Sequence, residues 1–434
     1  MYSKNKKILS VKGMHDILPI DIGIWEFVEN TIYNILNSYG FKKIITPIVE
    51  YTNLFKKTLY GSNDIFLKEM YSFQDKLNGE KLTLRPENTS GVIRSIIEHN
   101  LIHYGIKKIY YSGAMFRHEK PQFGRYRQFH QIGAEAIDYI GPDIDAEIII
   151  MCNRIWKKLN IKNIILEINS IGDIEDRRLY NNDLIIFFKK YEYMFNSNEL
   201  KKFYSNPISI FDTKNLEIIK IINLAPKLYN YINNNSIYHF EEIKKILLNN
   251  KIYFKINNYL VRGINYYNKT VFEWKDKDKN YSQNTICAGG RYDYLIEKIS
   301  GKNIPGCGFA IGMERLIEKL KFNNFKKKEY KYDIYIIYKG KQAKLKSFLL
   351  AEKLRDIGKK VILHCEHKEK NSNIKSQIKL ANKNKVKYSI IIGEKEIKNN
   401  TVIIKNMKYF FKKKQIEIPL LKIIDFFKNK KYNL

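Results

Sequence analysis

Apolar residues recur at helical spacing over about residues 22–39 (IGIWEFVENTIYNILNSY), and Gly40 ends that run. FKKIITPIVEY follows as a β-branched strand interrupted by Pro47, a residue that suits an edge or a bulge better than a sheet interior. LTLRPENTSGVIRSIIEHN predicts strand, turn and helix, with Pro86 and Asn88 in the turn. Next, IYYSGAMFR and RQFHQIGAEAI read as two strands joined by the polar, basic loop HEKPQFGRY. Over about residues 173–250 the chain becomes Asn-, Lys- and Tyr-rich with irregular helical periodicity, which predicts a helical insertion. Strand character resumes at NYLVRGINYYNKTVFEW and TICAGGRYD, and GCGFAIGMERLIEKL predicts a strand running straight into a helix. Beyond the lysine-rich stretch KFNNFKKKEYKY, strands (DIYIIY, KKVILH, YSIIIG, TVIIK) alternate with helices near residues 342–357 and 374–385. Alternation of that kind predicts a small α/β unit.

A length of 434 residues gives two or three domains at about 150 residues each. The pattern divides the chain into a core segment 1–172, the insertion 173–250, a second core segment 251–325 and a terminal α/β unit 326–434. The formal net charge of +32 attracts polyanions, with nucleic acid the obvious candidate, although a Lys-, Ile- and Asn-rich chain also carries solvated lysines without a partner. Four cysteines, none in a CxxC pair, indicate neither a zinc ribbon nor a disulfide framework. Without a secretory-type N-terminus or an apolar run of roughly 20 residues, a soluble cytoplasmic protein with no membrane contact is expected.

Side chains alternate along a strand, so Gln131, Gly133 and Glu135 share one face, as do Gly113, Met115 and Arg117 on the partner strand. Gln131 and Glu135 stand roughly 13 Å apart, with bare backbone at Gly133 leaving room for a flat ligand between them. A solvent-facing sheet surface alternates polar residues in the same way. Arginines shift the balance. Arg117, Arg125 and Arg127 meet at one hairpin, while Arg262 (LVRGINYY) and Arg315 (GFAIGMERL) lie in glycine-bearing contexts. The planar fork of arginine binds phosphate oxygens two at a time and keeps its charge. Gly308 and Gly312 are expected to let a planar ring approach the strand.

LTLRPENTSGVIR, MFRHEKPQFGRYRQFHQIGAE, LVRGINYYNKTVFEW, AGGRYD and GFAIGMERL together resemble histidyl-tRNA synthetase, a class II aminoacyl-tRNA synthetase. The likeness runs from SVKGMHDILP to the C-terminal α/β unit. FRHE and its arginine-rich loop resemble motif 2, GFAIGMERL motif 3, YGFKKIITPIVEY the dimer-building motif 1, and LVRGINYY and AGGRYD the two histidine signatures. The resemblance implies an α+β fold: an antiparallel sheet flanked by helices, the helical insertion, and a C-terminal α/β anticodon-binding domain. It also implies a homodimer that uses ATP, with Mg²⁺ on its phosphates, to join L-histidine to tRNA(His). By resemblance, Arg117 holds the α-phosphate and the substrate carboxylate, Arg125 joins it at ATP, and Arg315 holds the γ-phosphate. Arg262 stands over the α-phosphate on the side of attack. Glu87, Thr89 and Gln131 take the α-ammonium, with Asn88 in the same turn. Glu135 and Tyr267 bind the imidazole nitrogens, and Tyr266 and Tyr292 line the pocket. Lys120, Arg125 and Arg127 would meet the tRNA acceptor end.

Departures from the family pattern are few. Asn265 stands where the family usually has aspartate, removing a carboxylate that could pair with Arg262. Asn88 replaces a common glycine, and Tyr294 a small residue. Two other functions remain open at this point. A non-catalytic paralogue that senses histidine would tend to lose the motif 2 and motif 3 arginines, which are present here. A basic RNA-binding protein would have no use for Glu87, Gln131 and Glu135.

Overall fold

The structure, a computed structural model, describes residues 7–59, 69–122, 124–213, 215–262, 266–278, 284–322, 332–365, 373–407 and 415–428. It divides into two compact units, Met1–Phe325 and Lys326–Leu434.

In the first unit the described strands are β1 (Lys42–Lys43), β2 (Val49–Tyr51), β3 (Tyr71–Gln74), β4 (Lys81–Leu84), β5 (Lys108–Phe116) and β6 (Gln128–Ile137). They continue with β7 (Ile164–Ser170), β8 (Phe254–Ile256), β9 (Asn268–Asp276), β10 (Thr285–Arg291) and β11 (Gly306–Gly312). Eight of them form one sheet in the order β1-β5-β6-β11-β10-β9-β7-β8. Its six central strands are antiparallel, and a parallel strand closes each edge. The remaining strands form a small sheet, β2-β4-β3.

One face of the large sheet is covered by helices Pro19–Ser38, Pro142–Lys158, Asn234–Asn249 and Met313–Phe322, whose apolar residues join Ile132, Ala134, Phe272 and Trp274 in one core. Pro19 at the start of the first helix fixes φ where no amide bond is lost, and Gly40 (φ +81°) lets the chain turn after its end. Behind that face, Arg291 is fully buried against Asp145 and Asp293 and the carbonyls of Tyr139 and Gly141. Every donor of this buried cation is thus placed, and the AGGRYD segment is anchored to the helix that carries Asp145.

Three expectations change. FKKIITPIVEY is not one strand: β1 and β2 belong to different sheets, and Pro47 lies in the break between them. Its peptide carbonyls turn inward instead, where Arg85 Nη1 donates to the Thr46 carbonyl at 3.1 Å. Strand structure resumes earlier than NYLVRGINYY, at the short edge strand β8, then residues 257–262 form a turn and loop, and the long strand β9 begins only at Asn268. In the second unit, QIEIP forms an additional edge strand that the alternation of TVIIK did not announce.

That second unit contains β12 (Ile334–Tyr338), β13 (Val361–Leu363), β14 (Tyr388–Ile392), β15 (Thr401–Asn406) and β16 (Gln415–Pro419), in the order β13-β12-β14-β15-β16. Helices Lys341–Asp356 and Ile423–Lys428 cover one face, and Ile374–Lys383 the other. Ile334 and Ile336 point one way, and Tyr335 and Ile337 the other, as a sheet covered on both faces requires.

Candidate active site

On the face of the large sheet away from the four helices lies a cavity of about 380 Å³. Its wall follows strand alternation. Gln131 and Glu135 of β6, Glu273 of β9, and Gly308, Ala310 and Gly312 of β11 face the cavity.

On one side the cavity is built from carboxylates and hydroxyls. Glu87 closes the LRPE turn and accepts from the backbone N–H of Thr89 (2.6 Å) and Ser90 (3.1 Å), at the start of helix Thr89–Glu98. Those donors have no partner within the helix, and the positive end of its dipole favours the carboxylate. Thr89 Oγ1 donates to Glu135 Oε1 at 2.7 Å, and the Tyr292 hydroxyl donates to the other Glu135 oxygen. Burial pushes Glu135 up to about 8 despite these two donors, and burial raises Glu87 as well. Tyr266 packs against Tyr267 and Tyr292 with ring centroids 4.6 and 5.6 Å apart. Burial raises all three phenols, so they are neutral donors at physiological pH. On the same strand as Glu135, the buried Gln131 Oε1 has no hydrogen-bond partner and is an unmatched acceptor on the wall.

Cations gather on the other side. Arg117 Nε donates to the Pro86 carbonyl at 3.0 Å, and its guanidinium lies 4.9 Å from the Phe129 ring centroid. Burial lowers it to about 10, opposed by Glu87 and Glu69, which leaves it charged at neutral pH. Arg315 donates to the Gly124 carbonyl at 3.0 Å and the Thr285 carbonyl at 2.8 Å. Its pKa is lowered by burial and then by repulsion from Arg125 and Arg117. Guanidiniums held by neutral carbonyls and repelling one another form a ready site for a polyanion. Arg125 pairs with Glu119, and Arg262 with Glu273 at 2.6 Å.

Of the residues singled out in the sequence, Glu87, Thr89, Gln131, Glu135, Tyr266, Tyr267, Tyr292, Arg117, Arg125, Arg262 and Arg315 all line this one cavity. Three do not. Asn88 turns its Oδ1 to Thr46 Oγ1 (2.6 Å) and Arg85, bracing the turn beneath the cavity. The Arg127 guanidinium bonds the Glu119 carbonyl at 3.1 Å, and its backbone N–H the Gly13 carbonyl at 2.7 Å, so it fastens the N-terminal segment to the hairpin. Lys120 is exposed outside the cavity. Asn265 lies outside the described residues.

The room expected over Gly133 is not left for a ligand. Tyr111 is its cross-strand partner, and the Tyr111 ring occupies the place a Cβ would take. Gly308 likewise makes way for the Glu135 carboxylate, whereas Gly312 is open, with Arg315 Cδ 4.0 Å from a Cβ placed there. The sequence reading also missed Phe129 and Glu273, although strand alternation from Gln131 and from the buried Phe272 points to both.

Comparison with known proteins agrees with this geometry. The family model described as histidyl-tRNA synthetase matches residues 13–174 and 221–316, and that of an anticodon binding domain matches residues 333–430. The chain is 45% identical over 405 residues to a histidine–tRNA ligase of Paraburkholderia phytofirmans, covering 93% of this chain and 91% of the relative. It is 47% identical over 405 residues to that of Burkholderia lata, with the same coverage. The solved structure of apo histidyl-tRNA synthetase from S. aureus superposes with a TM-score of 0.80 at 33% identity, covering 98% of this chain and all of that one. With a family model matching more than half of the chain and relatives aligned along nearly all of it, the protein belongs to the histidyl-tRNA synthetase family of class II aminoacyl-tRNA synthetases.

Proposed function

We infer that the cavity activates histidine with ATP and then passes it to tRNA(His), which makes the chain a histidine–tRNA ligase. One observation carries the reading: buried polar groups fit for an imidazole amino acid share a cavity with four guanidiniums suited to a triphosphate. Glu135 and Tyr267 take the two imidazole nitrogens, with Tyr266 and Tyr292 as walls, and Glu87, Thr89 and Gln131 take the α-ammonium. A cavity whose buried polar groups are matched only by such a substrate rejects analogues that would leave them unpaired.

Arg117 holds the α-phosphate and the histidine carboxylate, Arg125 and Arg315 the outer phosphates, and Arg262 the α-phosphate on the attacking side. The carboxylate oxygen attacks the α-phosphorus, forming the acyl–phosphate bond as the bond to the β-phosphate oxygen breaks. Pyrophosphate leaves with that electron pair. A ribose hydroxyl at the 3′ end of tRNA then attacks the acyl carbon, its proton passing to the leaving phosphate, and AMP departs. Catalysis rests on positioning and on fixed positive charge where negative charge develops. Among the described residues no group of three His, Cys, Asp or Glu side chains is arranged for a metal ion. Mg²⁺ would accompany the ATP phosphates, where it would neutralise part of their charge.

The exposed Lys120 and Arg125 meet the tRNA acceptor end, and the second unit reads the anticodon, where aromatic and cationic side chains can stack on splayed bases. The protein works as a homodimer in the cytoplasm. The exposed Ile45, Ile48, Val49 and Tyr51 of the motif 1 segment supply the apolar surface that such a contact would cover. Among the described residues, no helix is long and apolar enough to cross a membrane. ATP–pyrophosphate exchange that requires histidine tests the assignment. Exchange with no amino acid at all would transfer the chain to the histidine-sensing paralogues.

A further inference from the structure

Arg262 sits in a loop, at the end of residues 257–262, with no regular backbone of its own to fix its guanidinium. What fixes it is a row of charges on the cavity face of the sheet. Glu273 Oε1 accepts from Arg262 Nη1 at 2.6 Å, and Glu273 Oε2 accepts from Thr285 Oγ1 at 3.0 Å. Lys275 Nζ lies 3.3 Å from Glu273 and 2.7 Å from Glu167, and Glu167 accepts from Asn257 Nδ2 at 2.8 Å. The described loop residues are therefore fastened at two points, at Asn257 to Glu167 and at Arg262 to Glu273.

Such a row is not what a sheet would adopt by default. Glu167 and Glu273 are direct cross-strand partners, and like charges in that position destabilise a sheet. Lys275 and Arg262 neutralise the pair. The backbone is also adapted to it. Thr285 pairs with Lys275 while Cys287 pairs with Trp274, so the register shifts between them. In a regular strand Thr285 and Cys287 would share a face; the bulge turns Thr285 toward the carboxylates while Cys287 stays in the core. Thr285 then serves both cationic groups: its hydroxyl bonds Glu273, and its carbonyl accepts from Arg315 Nη1 at 2.8 Å. A continuous chain of contacts runs Arg262–Glu273–Thr285–Arg315.

We propose that Glu273, seated by Thr285 and Lys275, is a positioning residue that sets the Arg262 guanidinium, and through Thr285 its spacing from Arg315, for attack on the α-phosphate. It supplies the carboxylate partner that Asn265 cannot. The proposal rests on the reading of Arg262 as a phosphate ligand, and the test separates the two. In the full chain, histidine-dependent exchange is measured for Glu273→Gln, Thr285→Val, Arg262→Ala and the Glu273→Gln/Arg262→Ala double variant.

Glu273→Gln should lower kcat about 10- to 100-fold with the KM for histidine within about 3-fold, and Thr285→Val should lower it several-fold. In the Arg262→Ala background Glu273→Gln should cost nothing further, the signature of a residue acting through its neighbour. Transfer from preformed histidyl-adenylate to tRNA should stay near wild type in Glu273→Gln, which a general loss of folding would not allow. Losses that multiply in the double variant, or wild-type kcat in Glu273→Gln, overturn the proposal. Wild-type exchange in Arg262→Ala would instead overturn the phosphate role of Arg262 itself. Should Glu273→Gln fail to fold, an unchanged kcat in Thr285→Val overturns the bridge.

Discussion

On the carboxylate side of the cavity the polar groups bond one another, Thr89 and Tyr292 both donating to the buried Glu135, whereas on the arginine side Arg117 and Arg315 lean on backbone carbonyls. The difference lies in what each side does when a ligand arrives. Buried hydroxyls and a carboxylate form a closed set that exchanges one partner for another of matching shape, so the side selects. Guanidiniums seated on backbone carbonyls and repelling one another hold positive charge toward the cavity, so the side attracts and stabilises charge. Selection depends on close filling, and charge stabilisation on fixed cations with space between them.

The sharpest way to break this contrast is to remove a cation. Arg117→Ala should lower kcat/KM for adenylate formation by about 10³-fold or more, since it removes a buried donor from the site of developing charge. Pyrophosphate exchange measures this. A loss of less than about 10-fold would mean that the arginine side attracts ATP without stabilising the transition state.

On the selective side, Glu135→Gln should raise the KM for histidine by about 10²-fold, because a carboxamide cannot accept from both hydroxyls and the substrate at once. The same variant reports on the buried charge. Folded Glu135 keeps its proton up to about pH 8, while the unfolded chain releases it near the ordinary glutamate value of about 4.3. Between those values the folded state binds the extra proton, so wild-type stability falls as pH rises through the window, and the variant is spared. The Tm of Glu135→Gln relative to wild type should therefore climb from pH 5 to pH 8 and level off above. A difference independent of pH would show that Glu135 is already ionised at pH 5.

These two sides were not equally legible in the sequence. The arginines announce themselves by residue type, and the order of motifs places them together. The carboxylate side could be named only through the family likeness, since period-2 alternation at Gln131 and Glu135 equally describes a wet sheet face. Which space a glycine leaves, and to whom, was not legible at all. Gly133 yields to Tyr111 and Gly308 to Glu135 because of cross-strand partners, and register between distant strands is written in packing, not in local pattern. Asn88 and Arg127 show the same limit: each has the right residue type beside the right motif, yet bonds the scaffold and not the cavity. Pro47 did signal an interruption, but not that the two halves would join different sheets.

The rim of the cavity offers a milder test. Lys120 is exposed and lies next to Glu119 on the hairpin loop. Lys120→Glu should raise the KM for tRNA about 5- to 10-fold and flatten its salt dependence, while exchange stays at the wild-type rate. A parallel loss of exchange would place Lys120 with the arginine side instead of outside it.

The smallest expected effect is at Gly312, set against Gly308 on the same strand. Both Gly308 and Gly312 face the cavity from β11, four residues apart, and both look equally permissive in GCGFAIG. A Cβ at Gly308 would run into the Glu135 carboxylate and the Ala134 carbonyl 2.6 Å away, whereas at Gly312 the nearest atom is Arg315 Cδ at 4.0 Å. A methyl group therefore has to displace the selective side but merely borders the charged one. Gly308→Ala should weaken histidine binding, and Gly312→Ala should leave both KM values and kcat within about 3-fold of wild type, since ordinary van der Waals contact carries little cost. Exchange kinetics of the pair decide it. If Gly312→Ala proves as harmful as Gly308→Ala, the triphosphate lies flush against β11, and the arginine side is as closely filled as the side that reads the imidazole.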